Sequence, residues 1–141
     1  MKRHLKRLGI ALLFLFGLIQ FYPVTRENPP LGKGLEAPAE VAAILRRACY
    51  DCHSNETRWP WYAYIAPASW LVAHDVEEGR AELNFSIFGE YGDSKRASKA
   101  SEAVEEIEEG HMPPEQYLLL HSEARITPEE LEKLTAWAEG L

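Results

Sequence analysis

Cysteine is scarce in this 141-residue chain, which has two, Cys49 and Cys52. A structural zinc site needs four ligands, and this pair with the adjacent His53 supplies too few. Alternating apolar and polar residues, the mark of a half-buried strand, are missing throughout. That leaves the C-x-x-C without the βαβ setting of a disulfide oxidoreductase, although a plain disulfide stays open in an oxidising compartment. Internal repeats and low-complexity tracts are missing too. Methionine occurs only at Met1 and Met112. The last shortage is positive charge: of 15 Lys and Arg, four fall in the first seven residues, so the other 11 face 22 Asp and Glu. A surface that acidic repels phosphates and excludes nucleic acid as a partner. It suits a basic protein partner, or none.

What is present begins with MKRHLKR and then LGIALLFLFGLIQFYPV over residues 8–24. A basic segment before an apolar run reads as an export signal with its basic end held in the cytoplasm. Seventeen residues reach the short end of a membrane span, and Phe21 and Tyr22 fall where an interfacial aromatic belt would. The expectation is an uncleaved signal anchor over 1–24: a transmembrane helix in a bacterial cytoplasmic membrane, with the rest of the chain on the periplasmic side. Residues 25–37, with Pro29, Pro30, Gly32 and Gly34, read as an extended tether. Residues 38–141 read as one folded domain.

Within that domain, Val41, Ile44, Leu45, Ala48 and Cys49 recur at helical spacing behind Pro38, which suits a helix start. This helix delivers Cys49 on its buried side. The spacing predicts a second helix over 68–79, ended by Gly79, and a third over 94–109, ended by Gly110. Thr127, Pro128 and Glu130 form a capping box ahead of a last helix that buries Leu131, Leu134, Trp137 and Ala138. The fold class is all-α, with long loops at 53–67, 80–93 and 110–126. So small a core calls for something else to fill it.

Cys49-Tyr50-Asp51-Cys52-His53 is C-x-x-C-H, the attachment sequence of c-type haem. Thiols at this spacing can reach the two vinyl groups on one porphyrin edge, and the imidazole that follows can ligate iron from the proximal side. One covalent haem c is the cofactor this motif implies. For the second axial position the candidate is Met112 in GHMPP, held by Gly110 before it and stiffened by two prolines after it. His74, mid-helix in SWLVAHDV, is the alternative; His111 and His121 are weaker ones. The aromatic residues Trp59, Trp61, Tyr62, Tyr64 and Trp70 read first as core packing, and second as walls of a haem crevice. Arg58 and Arg80 are candidate propionate partners.

The stretches CYDCHSNETRWPWYAYIAP, SWLVAHDVEEGRAELNFS, GHMPPEQYLLLH and TPEELEKLTAWA resemble a bacterial haem-binding domain family related to cytochrome c. The likeness covers about residues 23–140. It implies a cytochrome c-like helical fold in which a C-terminal helix packs across the helix leading to the attachment motif. It also implies thioether roles for Cys49 and Cys52, a proximal role for His53 and a methionine ligand at Met112. The expected function is electron transfer by a membrane-tethered monohaem protein rather than catalysis. A haem-based sensor, or a peroxidase-like enzyme with an open distal site, stands as the alternative.

Overall fold

The computed structural model describes residues 2–141, and among them every regular element is a helix. The seven α-helices are α1 (Lys2–Ile19), α2 (Ala39–Ala48), α3 (Tyr50–His53), α4 (Ala68–Glu82), α5 (Asp93–Glu108), α6 (Glu115–Leu118) and α7 (Pro128–Glu139). Three 3-10 turns, Trp61–Tyr64, Phe85–Glu90 and Ser122–Ala124, occupy stretches expected to be loop. The chain divides into two compact units.

The first unit comprises residues 1–27 and 58–75. Gln20 is its clasp. Its side-chain amide donates to the Phe16 and Ala66 carbonyls, at 3.0 and 3.1 Å, and accepts from the Ala66 N–H at 2.9 Å. Arg26 donates to the Ala63 carbonyl at 3.1 Å, and its guanidinium lies 4.7 Å from the centre of the Tyr64 ring.

This clasp overturns the expected anchor. The apolar run 8–24 is not one helix: α1 stops at Ile19, and Gln20 and Phe21 leave it in a turn. The helix also spends its first turn and a half on Lys2, Arg3, His4, Lys6 and Arg7. Its apolar part, from Leu8 to Ile19, is about 18 Å long at 1.5 Å per residue, against a hydrocarbon core of about 30 Å. Among the described residues no helix is long and apolar enough to cross a membrane. The N-terminal transmembrane helix is therefore corrected, and with it the membrane anchor and the location on the periplasmic side of a membrane that depended on it.

The second unit comprises residues 28–57 and 76–141. Its core joins Val41, Ile44 and Leu45 of α2 with Tyr50 of α3, Phe85 and Phe88, Ala100 and Val104 of α5, and Leu134 of α7. Tyr50 stacks on Phe85 with centroids 5.4 Å apart, and Phe88 meets Trp137 at 5.9 Å. Helix α7 packs against both α5 and α2. Its capping box forms as expected: Thr127 accepts from the Glu130 N–H, and Glu130 accepts from the Thr127 N–H. Helix α5 ends in a Schellman motif, in which the Gly110 N–H bonds to the Ile107 carbonyl and the His111 N–H to that of Glu106. Gly110 supplies the left-handed φ of 77° that this closure needs. Residues 28–37 have no helix, but the Gly32 and Leu35 N–H groups donate to the Ser86 and Phe85 carbonyls. That pairing lays the stretch along the Phe85–Glu90 turn.

The glycine at 79 does not end α4, which runs on to Glu82. A Cβ built there would lie 2.9 Å from the Cys52 carbonyl oxygen and 3.2 Å from the Cys52 Cβ. Gly79 is present because the helix backbone approaches the cysteine turn too closely for any side chain.

Candidate functional site

The cysteine turn grows directly out of α2. The Cys49 N–H donates to the Leu45 carbonyl at 2.9 Å, after which φ of −123° at Cys49 redirects the chain into α3. The Cys49 carbonyl then accepts from the Cys52 and His53 N–H groups, at 3.2 and 2.9 Å. Positions i, i+3 and i+4 of a helical turn share one face, so both sulfurs and the imidazole project to the same side. No disulfide joins the two half-buried thiols. Burial pushes the Cys49 thiol up to about 12, reinforced by the charge of Cys52 and opposed by Arg47. At neutral pH it stays an S–H.

His53 is oriented from behind. Its Nδ1 lies 3.1 Å from the Leu83 carbonyl, an acceptor only, so Nδ1 carries the proton and Nε2 keeps its lone pair. Burial lowers the imidazole pKa, while the Leu83 and Gly79 carbonyls and the charge of Glu82 act the other way. A neutral ring with Nδ1–H bonded to a backbone carbonyl is the form in which histidine ligates a metal.

Below the turn lies a buried polar network that the sequence did not announce. Ser54, Asn55, Thr57, Asn84 and Ser86 are all buried. Arg80 ties part of it together, donating from Nε to the Ser54 carbonyl at 2.7 Å and from Nη2 to Thr57 Oγ1 and Asn28 Oδ1, both at 2.8 Å. Through these bonds Arg80, a candidate propionate partner, holds the segment that follows His53. The polar letters of SNET and LNFS were the available signal. Only a fold that brings residues 54–57 and 84–86 together gives them meaning.

Met112 lies in the second unit, as His53 does, and is 38% exposed. Its N–H donates to the Glu106 carbonyl at 3.0 Å, which fixes the loop at its start. Tyr117, in α6 just beyond, donates to Asp51 Oδ2 at 3.0 Å and so ties the loop's far end to the cysteine turn. His74 is exposed on the part of α4 that belongs to the first unit. His111 sits between carboxylates, with Nδ1 at 3.3 Å from both Glu106 and Glu109, and the three exposed groups hold their ligand atoms within 4.8 Å of one another. His121 stacks on Tyr117 at 4.3 Å and meets Glu123. The aromatic residues of 59–70 do not build a core: Trp61 is 72% exposed and Tyr64 59%. The indole Nε1 of Trp59 is buried with no hydrogen-bond partner among the described residues.

Two thiols beside a neutral, carbonyl-oriented imidazole, under a helix that carries no side chain at Gly79, form a donor set suited to a porphyrin and its iron. The lone pair on His53 Nε2 suits iron. A haem-binding protein is the class this arrangement defines. Over residues 14–140 the chain matches the haem-binding domain family, and it belongs to that family. No curated protein and no solved structure is significantly similar to it.

Proposed function

We propose that the chain carries one haem c bound through Cys49, Cys52 and His53, and that it relays single electrons. The observation that carries this reading is the bond from His53 Nδ1 to the Leu83 carbonyl, on the same helical turn as both thiols. Each thiol adds its S–H across one vinyl double bond, sulfur to the inner carbon and hydrogen to the outer, with no leaving group and no change of oxidation state. Bound haem supplies a one-electron iron couple. The chain's residues do the rest. His53 would hold the iron through Nε2, Met112 would offer a thioether as a second ligand, and α4 packs closely behind the turn at Gly79. Exposed Glu102, Glu105, Glu106 and Glu108 on α5, with Glu109 just beyond it, form a negative surface for a basic redox partner, an encounter that weakens with salt.

Absorption spectra of the haem-loaded full chain test the reading, oxidised and reduced, for wild type and Met112→Leu. Haem is expected to stay with the protein in acid acetone. Met112→Leu is expected to abolish the long-wavelength band of sulfur-ligated ferric haem. It is also expected to open the reduced iron to carbon monoxide, which the wild type binds slowly. Rapid carbon monoxide binding by the wild type would turn the assignment toward a sensor. Peroxide turnover well above that of free haem would turn it toward a peroxidase.

A further inference from the structure

His53 and Leu83 are connected twice. The first connection is the imidazole bond to the Leu83 carbonyl at 3.1 Å. The second runs through their neighbours in the chain: Asn84 Nδ2 donates to Asn55 Oδ1 at 2.8 Å. Asn84 follows Leu83 directly, and Asn55 lies two residues after His53. Ring, carbonyl, paired amides and backbone thus close a hydrogen-bonded circuit around the His53 side chain.

The remaining polar groups of this circuit are also spoken for. Asn84 Oδ1 accepts from the Ser86 N–H, and Ser86 Oγ accepts from the Asn55 N–H, both at 2.9 Å. Asn55 Nδ2 donates to the Pro30 carbonyl at 2.8 Å, and the Asn84 N–H donates to the Tyr91 hydroxyl at 3.1 Å. Asn55, Asn84 and Ser86 are only 7, 6 and 4% exposed, so water cannot stand in for a lost partner. In such a setting a satisfied network holds one geometry, because every alternative leaves a buried group unpaired.

We infer that the Asn55–Asn84 amide pair positions His53, fixing the Leu83 carbonyl and through it the plane of the imidazole. The inference rests on the proposed reading of His53 as the iron ligand. Neither asparagine touches the iron; both are positioning residues. The residue type suits the task, since a carboxamide donates and accepts through two separate atoms without carrying a charge. Firm backbone acceptance at Nδ1 makes the imidazole a stronger donor and favours ferric iron, so loosening the pair raises the reduction potential.

The test compares haem-loaded wild type with Asn84→Asp, Asn84→Ala and Ser86→Ala. Thr127→Ala, which uncaps α7 in the same unit, serves as a control for stability loss. Asn84→Asp keeps an acceptor for the Ser86 N–H and loses the donor to Asn55. The readouts are thermal midpoint, reduction potential and the paramagnetically shifted haem-methyl protons of the ferric form, whose pattern follows the imidazole plane. Outer-shell partners of metal-bound histidine are worth about 10- to 100-fold in metal affinity. A tenfold loss confined to the ferric state raises a one-electron potential by about 59 mV. Asn84→Ala and Ser86→Ala, which add no charge, are expected to raise the potential by about that much, and all three variants to rearrange the methyl pattern. Thr127→Ala is expected to lower the thermal midpoint and change neither. Should Asn84→Ala fail to fold, Asn84→Asp and Ser86→Ala decide. If the folded variants melt earlier but keep the wild-type potential and methyl pattern, the pair is packing only and the inference is overturned. A wild type that binds no haem overturns the His53 reading itself, and the positioning role with it.

Discussion

Alanine at position 79 is expected to destabilise the protein by about 1–2 kcal/mol, although alanine is the better helix former. The helix gains about 1 kcal/mol from losing glycine's backbone freedom. Against that, the new methyl group meets the Cys52 carbonyl oxygen at 2.9 Å and its carbon at 3.1 Å. Both are backbone atoms and cannot swing aside, and overpacking of this kind costs about 1–3 kcal/mol or more. Valine adds two further methyl groups and is expected to cost about 3 kcal/mol. The consequence reaches the site, because the atoms displaced belong to the turn that carries both thiols and His53. Urea denaturation of haem-free protein measures the first effect, and the fraction of chain that retains haem measures the second. Unchanged stability in Gly79→Val would show that α4 does not press on the cysteine turn.

Loss of the Arg80 fork is expected to be comparably severe. Arg80→Met keeps the apolar stem and removes the bonds to the Ser54 carbonyl, Thr57 Oγ1 and Asn28 Oδ1. Ser54 is fully buried and Thr57 nearly so, and a buried group left unpaired costs about 1–3 kcal/mol. The expected total is about 3 kcal/mol, read as a lower urea midpoint with little change in slope. Arg80→Lys separates charge from geometry. An ammonium cannot reproduce the planar fork, so lysine is expected to recover less than half of the loss. Full recovery by lysine would make the positive charge, rather than the directed bonds, the stabilising feature.

These two residues also mark where sequence reading stops. Helix α2 was legible because Val41, Ile44, Leu45 and Ala48 repeat at the period of a helix and are buried together. Helix α7 was legible because a capping box is a local signal, complete within Thr127–Glu130. A glycine carries no such signal. Gly110 does end a helix, with its positive φ, whereas Gly79 lies inside one because another backbone comes close; the letter is the same in both. The apolar run 8–24 misled for a related reason. Hydropathy counts residues, but where a helix stops is set by Gln20, whose amide turns back to Phe16 and across to Ala66.

The site divides in the same way. Cys49, Cys52 and His53 are adjacent in sequence, so their shared face could be read from spacing alone. Their support could not: Asn28, Asn55 and the pair Arg80 and Asn84 come from three separate stretches, and no local pattern joins them. Arg80 shows how little residue type alone tells, since a half-buried guanidinium serves a carbonyl as readily as a propionate. The aromatic stretch 59–70 is the opposite case, with Trp61 and Tyr64 on the surface where bulk alone would place them inside.

Attachment of haem through Cys49 and Cys52 is tested most directly by the mass of the denatured chain. Wild type and the Cys49→Ala/Cys52→Ala double variant would be produced under conditions that load haem, denatured in acid and weighed intact. Wild type is expected to exceed its 16.0 kDa polypeptide by the mass of one haem, and the double variant to weigh as polypeptide alone. A wild type that shows a haem spectrum when folded, yet weighs as bare polypeptide once denatured, would contradict covalent attachment.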